Sequence, residues 1–326
     1  MPSFTLDAFV HTMRHEAEGI VSIELRPTPG AVPFPPFEAG AHIDLHLPNG
    51  LVRSYSLLNP ATERDRYVIG VLNERDSRGG SRYVHQQLRV GMTLPISAPR
   101  NNFALDESAA HSVLLAGGIG VTPLLSMLQR LKALGKPVDF IYCARSRKEA
   151  AFVERIEALT AGGAVRLAWH FDDEQGGPPN LEALLAARPA DAHLYCCGPG
   201  PMLDAFERAC EKLGYEQVHI ERFAAAPASR QAVDDGAAQT YRVELRRSGR
   251  MLDVPAGMSL LDVLLDAGVP HDYSCREGVC GSCEVKVIVG EVEHRDSILT
   301  KAEREANQSM MVCVSGCRRG TLVLDI

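Results

Sequence analysis

Ser274-Cys275-Arg276-Glu277-Gly278-Val279-Cys280-Gly281-Ser282-Cys283 packs three thiols into one short loop. The spacing is Cys-x4-Cys-x2-Cys, and Cys313 follows after 29 further residues. A tetrahedral zinc site usually draws its ligands from two separate short knuckles. A tight loop with one remote thiol is instead the plant-type spacing of a [2Fe–2S] centre, with Cys275, Cys280, Cys283 and Cys313 as ligands. Each iron takes two thiolates, and the anionic sulfurs call for backbone N–H donors. Ser274, Gly278, Gly281 and Ser282 are small enough to let the backbone curl close. Cys317 competes for the fourth position, but it lies four residues further on. It is expected to be a plain thiol.

Working outward, the chain of 326 residues is long enough for two or three domains at roughly 150 residues each. Hydrophobic residues make up 45% and charged residues 23%, which excludes a disordered or collagen-like chain. The net charge of −7 leaves no basic footprint for nucleic acid or an anionic membrane. Ser108 to Gln129 is free of Asp, Glu, Lys and Arg, but glycines and Pro123 at its middle suit a strand–turn–helix rather than a membrane span. The N-terminus has no basic cap followed by an apolar core, so the cytoplasm is the expected location. Of the nine cysteines, Cys143, Cys196, Cys197 and Cys210 stand in apolar surroundings and read first as buried hydrophobes.

The organisation upstream of the cysteine loop has two rhythms. Residues 1–104 alternate apolar and polar residues in short runs separated by turn formers, which predicts a small antiparallel β-barrel. One helix, from Ser81 to Leu88, interrupts it. Residues 105–225 alternate buried-type strands with helices, which predicts a parallel sheet covered on both faces. Residues 226–239 lack apolar periodicity and read as a linker. Residues 240–326 open with a hairpin-like pair, then a capped helix start at Ser259, the cysteine loop, the strand Glu284–Glu293 and a closing strand.

Two glycine-bearing segments sit at the expected carboxyl ends of strands in the α/β region. Gly117, Gly118 and Gly120 precede Thr122 and a helix. Gly198 and Pro199 follow Cys196 and Cys197. Such turns let a dinucleotide approach the backbone, and the helix start offers N–H groups to phosphate. Read alone, the first turn serves equally as a structural one. In the barrel region, Arg53-Ser54-Tyr55-Ser56 lies on a predicted strand. Alone it is an ordinary strand with exposed polar residues. Gly79, Gly80 and Ser81 open the barrel's helix and offer amides and a hydroxyl to a phosphate. Alone they make a loop.

Taken in order, these segments identify the chain as resembling a known family. Residues 240–326 resemble a plant-type ferredoxin domain, of β-grasp α+β fold. The glycine turn and the Cys-Gly-Pro segment resemble the pyridine-nucleotide domain of the ferredoxin–NADP reductase superfamily. Arg53, Ser54, Tyr55 and Ser56 resemble its flavin motif. Across essentially the whole chain, the order of flavin barrel, nucleotide domain and ferredoxin resembles the phthalate dioxygenase reductase and vanillate demethylase reductase family. The resemblance implies FMN bound by Arg53, Ser54, Tyr55, Ser56, Gly79, Gly80, Ser81 and Thr122. It implies a nucleotide bound by Gly117, Gly118, Gly120, Cys197, Gly198 and Pro199. Cys197 and Ser56 then flank the hydride path, and Phe223 covers the flavin where nicotinamide enters, unless Phe223 is simply a core residue. Arg145, Ser146 and Arg147 fall where the family contacts the adenosine ribose. Relatives imply NADH; the two arginines keep NADPH open, either as 2′-phosphate readers or as solvated helix-start charges.

The implied activity follows from electron counting. NAD(P)H gives two electrons as a hydride, an iron–sulfur centre takes one, and a flavin mediates between them. The implied partner is a terminal Rieske non-haem iron oxygenase of the kind found in aromatic catabolism. A plant-type centre feeding a Rieske centre gains roughly 250 mV, about 6 kcal/mol per electron. Hydrogen bonds to the cluster sulfurs are expected to raise its potential toward the nicotinamide couple. Two other readings stand beside this one: a stand-alone diaphorase or flavin reductase, and a redox-sensing regulatory protein. The appended ferredoxin argues against the first and the acidic charge against a DNA-binding form of the second.

Overall fold

The computed structural model describes residues 5–75, 77–163, 165–224 and 240–326. The expected linker, 226–239, lies outside the described residues. Backbone contacts divide the chain after Glu221 into two units. The first unit holds two sheets and the second holds one.

The N-terminal sheet comprises β1 (Thr5–Ala17), β2 (Ile20–Pro27), β3 (His42–His46), β4 (Val52–Ser56), β5 (Tyr67–Leu72) and β6 (Thr93–Ser97). Its order is β4-β3-β6-β1-β2-β5, with antiparallel neighbours. The two edges meet through a bridge between Leu57 and Ile69 and the Leu58 N–H to Val68 carbonyl bond of 2.9 Å, which closes the barrel. Ile23 and Leu25, Ile43 and Leu45, and Ile69 and Val71 fill its interior at the two-residue period of a strand. β1 runs further than alternation predicts. Register shifts at Val10/Thr12 and His15/Ala17 break the pattern while the ladder continues. The barrel's helix, α1, is Gly80–Gln86.

The second sheet alternates with helices: β7 (Ser112–Gly117), α2 (Val121–Ala133), β8 (Val138–Ala144), α3 (Val153–Thr160), β9 (Val165–Phe171), α4 (Asp172–Gln175), α5 (Leu181–Leu185), β10 (His193–Cys197), α6 (Gly200–Leu213) and β11 (Val218–Glu221). All neighbours in the order β11-β10-β7-β8-β9 are parallel. The order reverses between β7 and β10, which opens a crevice at their carboxyl ends. α2 and α3 pack on one face with Tyr142, Tyr195 and Cys197. α5 and α6 pack on the other with Cys143, Cys196 and Cys210.

The third sheet comprises β12 (Tyr241–Leu245), β13 (Arg250–Val254), β14 (Glu284–Glu293), β15 (Ser309–Met311) and β16 (Gly316–Leu324), in the order β13-β12-β16-β14-β15. β12 and β16 form a parallel pair flanked by antiparallel strands. α7 (Leu260–Asp266) buries Leu260, Leu261, Val263 and Leu264 in this sheet's core. Ser259 caps it by accepting the Asp262 N–H at 3.1 Å. A second helix, α8 (Lys301–Ala306), carries a complete capping box between Thr300 and Glu303. Among the described residues, no helix is long and apolar enough to cross a membrane.

Candidate functional site

In the C-terminal unit the four expected ligands come together as two pairs. Cys275 and Cys280 lie within hydrogen-bonding reach of each other, as do Cys283 and Cys313. Among the described residues no three His, Cys, Asp or Glu side chains converge on a single-ion position. A two-and-two grouping is what a binuclear centre asks of its thiolates. Backbone amides already point at the sulfurs. The Glu277 N–H donates to Cys275 Sγ at 3.3 Å and the Cys275 N–H to Cys280 Sγ at 3.5 Å. The Gly278 N–H serves Cys313. Ser282 Oγ lies 3.3 Å from Cys280 Sγ. These residues fit a [2Fe–2S] group. Cys317 stands apart on β16, where its thiol donates to the Arg319 carbonyl at 3.2 Å.

The loop's shape has a support that local sequence does not announce. Gly278 has φ +68°, and a Cβ there would come 2.6 Å from Val314 and 2.9 Å from the Asp296 backbone. Its carbonyl accepts the Ser297 N–H at 2.9 Å. Buried Asp296 accepts the Leu299 N–H at 2.9 Å, and its own carbonyl accepts from Arg304 at 2.7 Å. Asp296 thus anchors the backbone on which the cysteine loop rests. No periodic or spacing signal surrounds it.

In the first unit, the two glycine segments meet at the crevice. A Cβ on Gly120 would lie 2.1 Å from the Cys197 carbonyl oxygen, and one on Gly117 would lie 2.5 Å from Met202 and 3.1 Å from Gly198. Only glycine permits this approach. Gly118 takes φ +53°. Pro199 begins α6 as its N-cap. Cys196 and Cys197 point to opposite faces of β10, as alternation requires. Burial, then Glu221, pushes the Cys197 thiol well up, so it is a neutral thiol.

Ser56, at the end of β4, donates from Oγ to Glu221 Oε2 at 3.4 Å. Glu221 ends β11 and pairs in register with Cys197. It keeps some solvent contact, yet protein crowds around it, and this burial pushes its carboxyl up to about 8. The barrel and the parallel sheet therefore place a hydroxyl, a thiol and a protonated carboxyl together. Such a site offers polar contacts without fixed charge. Glu221 escaped the sequence reading because one acid at the end of an edge strand has no local signature. Phe223, two residues beyond, is 42% exposed.

Arg53 lies across the first turn of α1. A Cβ on Gly80 would come 2.7 Å from its side chain, and its Nη2 donates to the Arg78 carbonyl at 3.4 Å. Gly79 takes φ +96°, and Ser81 Oγ donates to Ser77 Oγ at 2.9 Å. A guanidinium over a helix start fits a phosphate group. Burial pushes the Tyr55 phenol up to about 12. Ser54 faces away from Arg53 and Tyr55 and donates to Asp44 at 2.6 Å. Burial would raise the Asp44 carboxyl, but Arg100, 2.6 Å away, and Ser54 hold it below the usual range. Thr122 is buried, with its methyl opposite Gly70 and its hydroxyl donated to the Ile119 carbonyl at 3.0 Å.

At the end of β8, Ser146 is extended and precedes a short 3-10 turn. Arg145 lies 3.9 Å from Glu149. Arg147 is paired with Glu174 at 2.6 Å and stacks over the Phe171 ring at 4.5 Å. Glu174 belongs to α4, which sequence rhythm did not foresee.

Comparison with known proteins agrees with this layout. The profile of the 2Fe-2S iron-sulfur cluster binding domain matches residues 243–318. That of the N-terminal domain of dimethylamine monooxygenase subunit DmmA-like proteins matches residues 96–220. The chain is 47% identical to phenoxybenzoate dioxygenase subunit beta of Ectopseudomonas oleovorans, over 97% of this chain and 96% of that one. It is 46% identical to tetrachlorobenzoquinone reductase of Sphingobium chlorophenolicum, over 100% and 99%. Among solved structures, it superposes on phthalate dioxygenase reductase, described as a modular structure for electron transfer from pyridine nucleotides to [2Fe–2S]. That match has a TM-score of 0.70 and 35% identity, over 99% of this chain and 98% of the other.

Proposed function

The chain belongs to the phthalate dioxygenase reductase family, iron–sulfur flavoprotein oxidoreductases that act as reductase components of oxygenase systems, and from that premise we propose its specific chemistry. It takes a hydride from NADH onto FMN and delivers single electrons through its [2Fe–2S] centre to a terminal Rieske-type oxygenase in the cytoplasm. The observation that carries this reading is the joining of two sites in one chain: the paired thiols of Cys275/Cys280 and Cys283/Cys313, and the Ser56–Cys197–Glu221 meeting point.

When bound, the flavin accepts electrons in pairs and releases them singly, and the cluster carries one at a time. The residues supply the rest. Arg53 and the amides at Gly80 and Ser81 would hold the flavin phosphate, and FMN rather than FAD follows from the similarity to phthalate dioxygenase reductase. Tyr55 offers its ring face, and Ser56 a hydroxyl to the flavin edge. Gly117, Gly120 and Gly198 let the two turns close against each other, Gly118 and Pro199 complete the crevice that would take the dinucleotide, and Cys197 keeps an uncharged thiol beside it. Glu277, Cys275 and Gly278 amides offset charge on the cluster sulfurs.

The 46% identity to a tetrachlorobenzoquinone reductase favours one second reading, in which a small quinone is the acceptor. Cys280→Ser separates the two. It is expected to stop electron delivery to a purified Rieske oxygenase component while leaving NADH-driven dye reduction at the flavin. Delivery to the oxygenase that survives loss of the cluster would refute the proposed route.

A further inference from the structure

The ends of β8 and β9 run side by side, with Ala144 and Phe171 in register. The segments that follow stay in contact: the Asp173 N–H donates to the Arg145 carbonyl at 3.0 Å. There Arg147 is held from two sides. Its Nε and Nη2 reach the two Glu174 carboxylate oxygens at 2.6 and 3.4 Å, and its guanidinium lies 4.5 Å above the Phe171 ring. Arg145 is 3.9 Å from Glu149. Asp172, Asp173 and Glu174 form the first turn of α4. Both arginines that could read a nucleotide phosphate thus face carboxylates, and acids outnumber bases across 145–149 and 172–175.

We propose that Glu174 sets the nucleotide preference of this reductase by keeping Arg147 engaged where a 2′-phosphate would bind, so that NADPH is rejected and NADH accepted. The inference rests on the nucleotide reading given above. A 2′-phosphate must break a two-point ion pair and then sit beside the displaced carboxylate and its two acidic neighbours. A neutral 2′-hydroxyl does neither. Glu174 and Arg147 are both partly exposed, at 44% and 60% of their side chains, so the pair is within reach of a ligand rather than locked in the core. Discrimination here comes from a repulsive element as much as from an attractive one.

The test uses the full-length holoprotein and Glu174→Gln, alone and with Arg147→Ala. NADH- and NADPH-driven dye reduction gives the ratio of kcat/KM, and inhibition of the NADH reaction by 5′-ADP and 2′,5′-ADP reports binding without hydride transfer. Glu174→Gln is expected to raise the NADPH-to-NADH ratio roughly ten- to a hundredfold, through KM, the equivalent of one charged hydrogen bond gained. It should tighten 2′,5′-ADP relative to 5′-ADP, and Arg147→Ala should remove both gains. An unchanged ratio, or a gain that survives Arg147→Ala, would overturn the proposal. Failure of NADH to reduce the parent protein would instead overturn the functional reading on which it rests.

Discussion

At Glu221 the folded chain holds a proton that an ordinary carboxylate has lost. Burial raises its carboxyl from 4.5 to about 8. The stabilising contribution of this group is therefore complete below pH 4.5 and is lost as pH rises through about 8. Glu221→Gln is expected to remove that part of the slope, so the variant loses less thermal stability between pH 5 and 8 than the parent, by roughly one proton's linkage. Parallel pH profiles of Tm for the two proteins would refute the assignment. Cys196 and Cys197 separate by simple alternation. Glu221 depends on a hydroxyl 165 residues away, and Glu174 on an arginine 27 residues away. Such pairs exist only after folding.

At the scale of elements, the turn between β7 and α2 is set by close backbone approach. Gly120→Ala would drive a methyl into the Cys197 carbonyl, 2.1 Å from the new carbon. It is expected to cost on the order of 1–3 kcal/mol and to weaken nucleotide binding, read by Tm and by 5′-ADP inhibition. In the third sheet, Asp296→Ala would strip the acceptor from the Leu299 and Ile298 amides, at about 1–3 kcal/mol for an orphaned buried donor. Iron and labile sulfide per chain should fall while flavin content holds. Equal loss of both would refute a role specific to the cysteine loop. Strands and helices with clean periodicity were legible, and Val138–Ala144 and Glu284–Glu293 coincide with their predicted runs. α8 was not, because six residues give too short a window for helical periodicity, although its Thr300–Glu303 box was readable. Barrel closure at Leu57 and Ile69 was equally hidden, since pairing of distant edges has no local pattern.

At the scale of the whole molecule, the change of rhythm near Ser108 and the thiol spacing made the three-sheet architecture readable, and the resemblance supplied the cofactors. Geometry then added the contacts that connect distant segments. The barrel and the parallel sheet share one unit, and the cysteine-bearing sheet forms another. Loss of the cluster should therefore leave the flavin reaction intact, as Cys280→Ser is expected to show. Anaerobic rapid mixing of the purified holoprotein with NADH, followed by absorbance, tests the electron route itself. Flavin reduction is expected first and cluster reduction by a single electron second, with the second phase missing in Cys280→Ser. Cluster reduction that precedes the flavin's, or that persists after the flavin is removed, would contradict it.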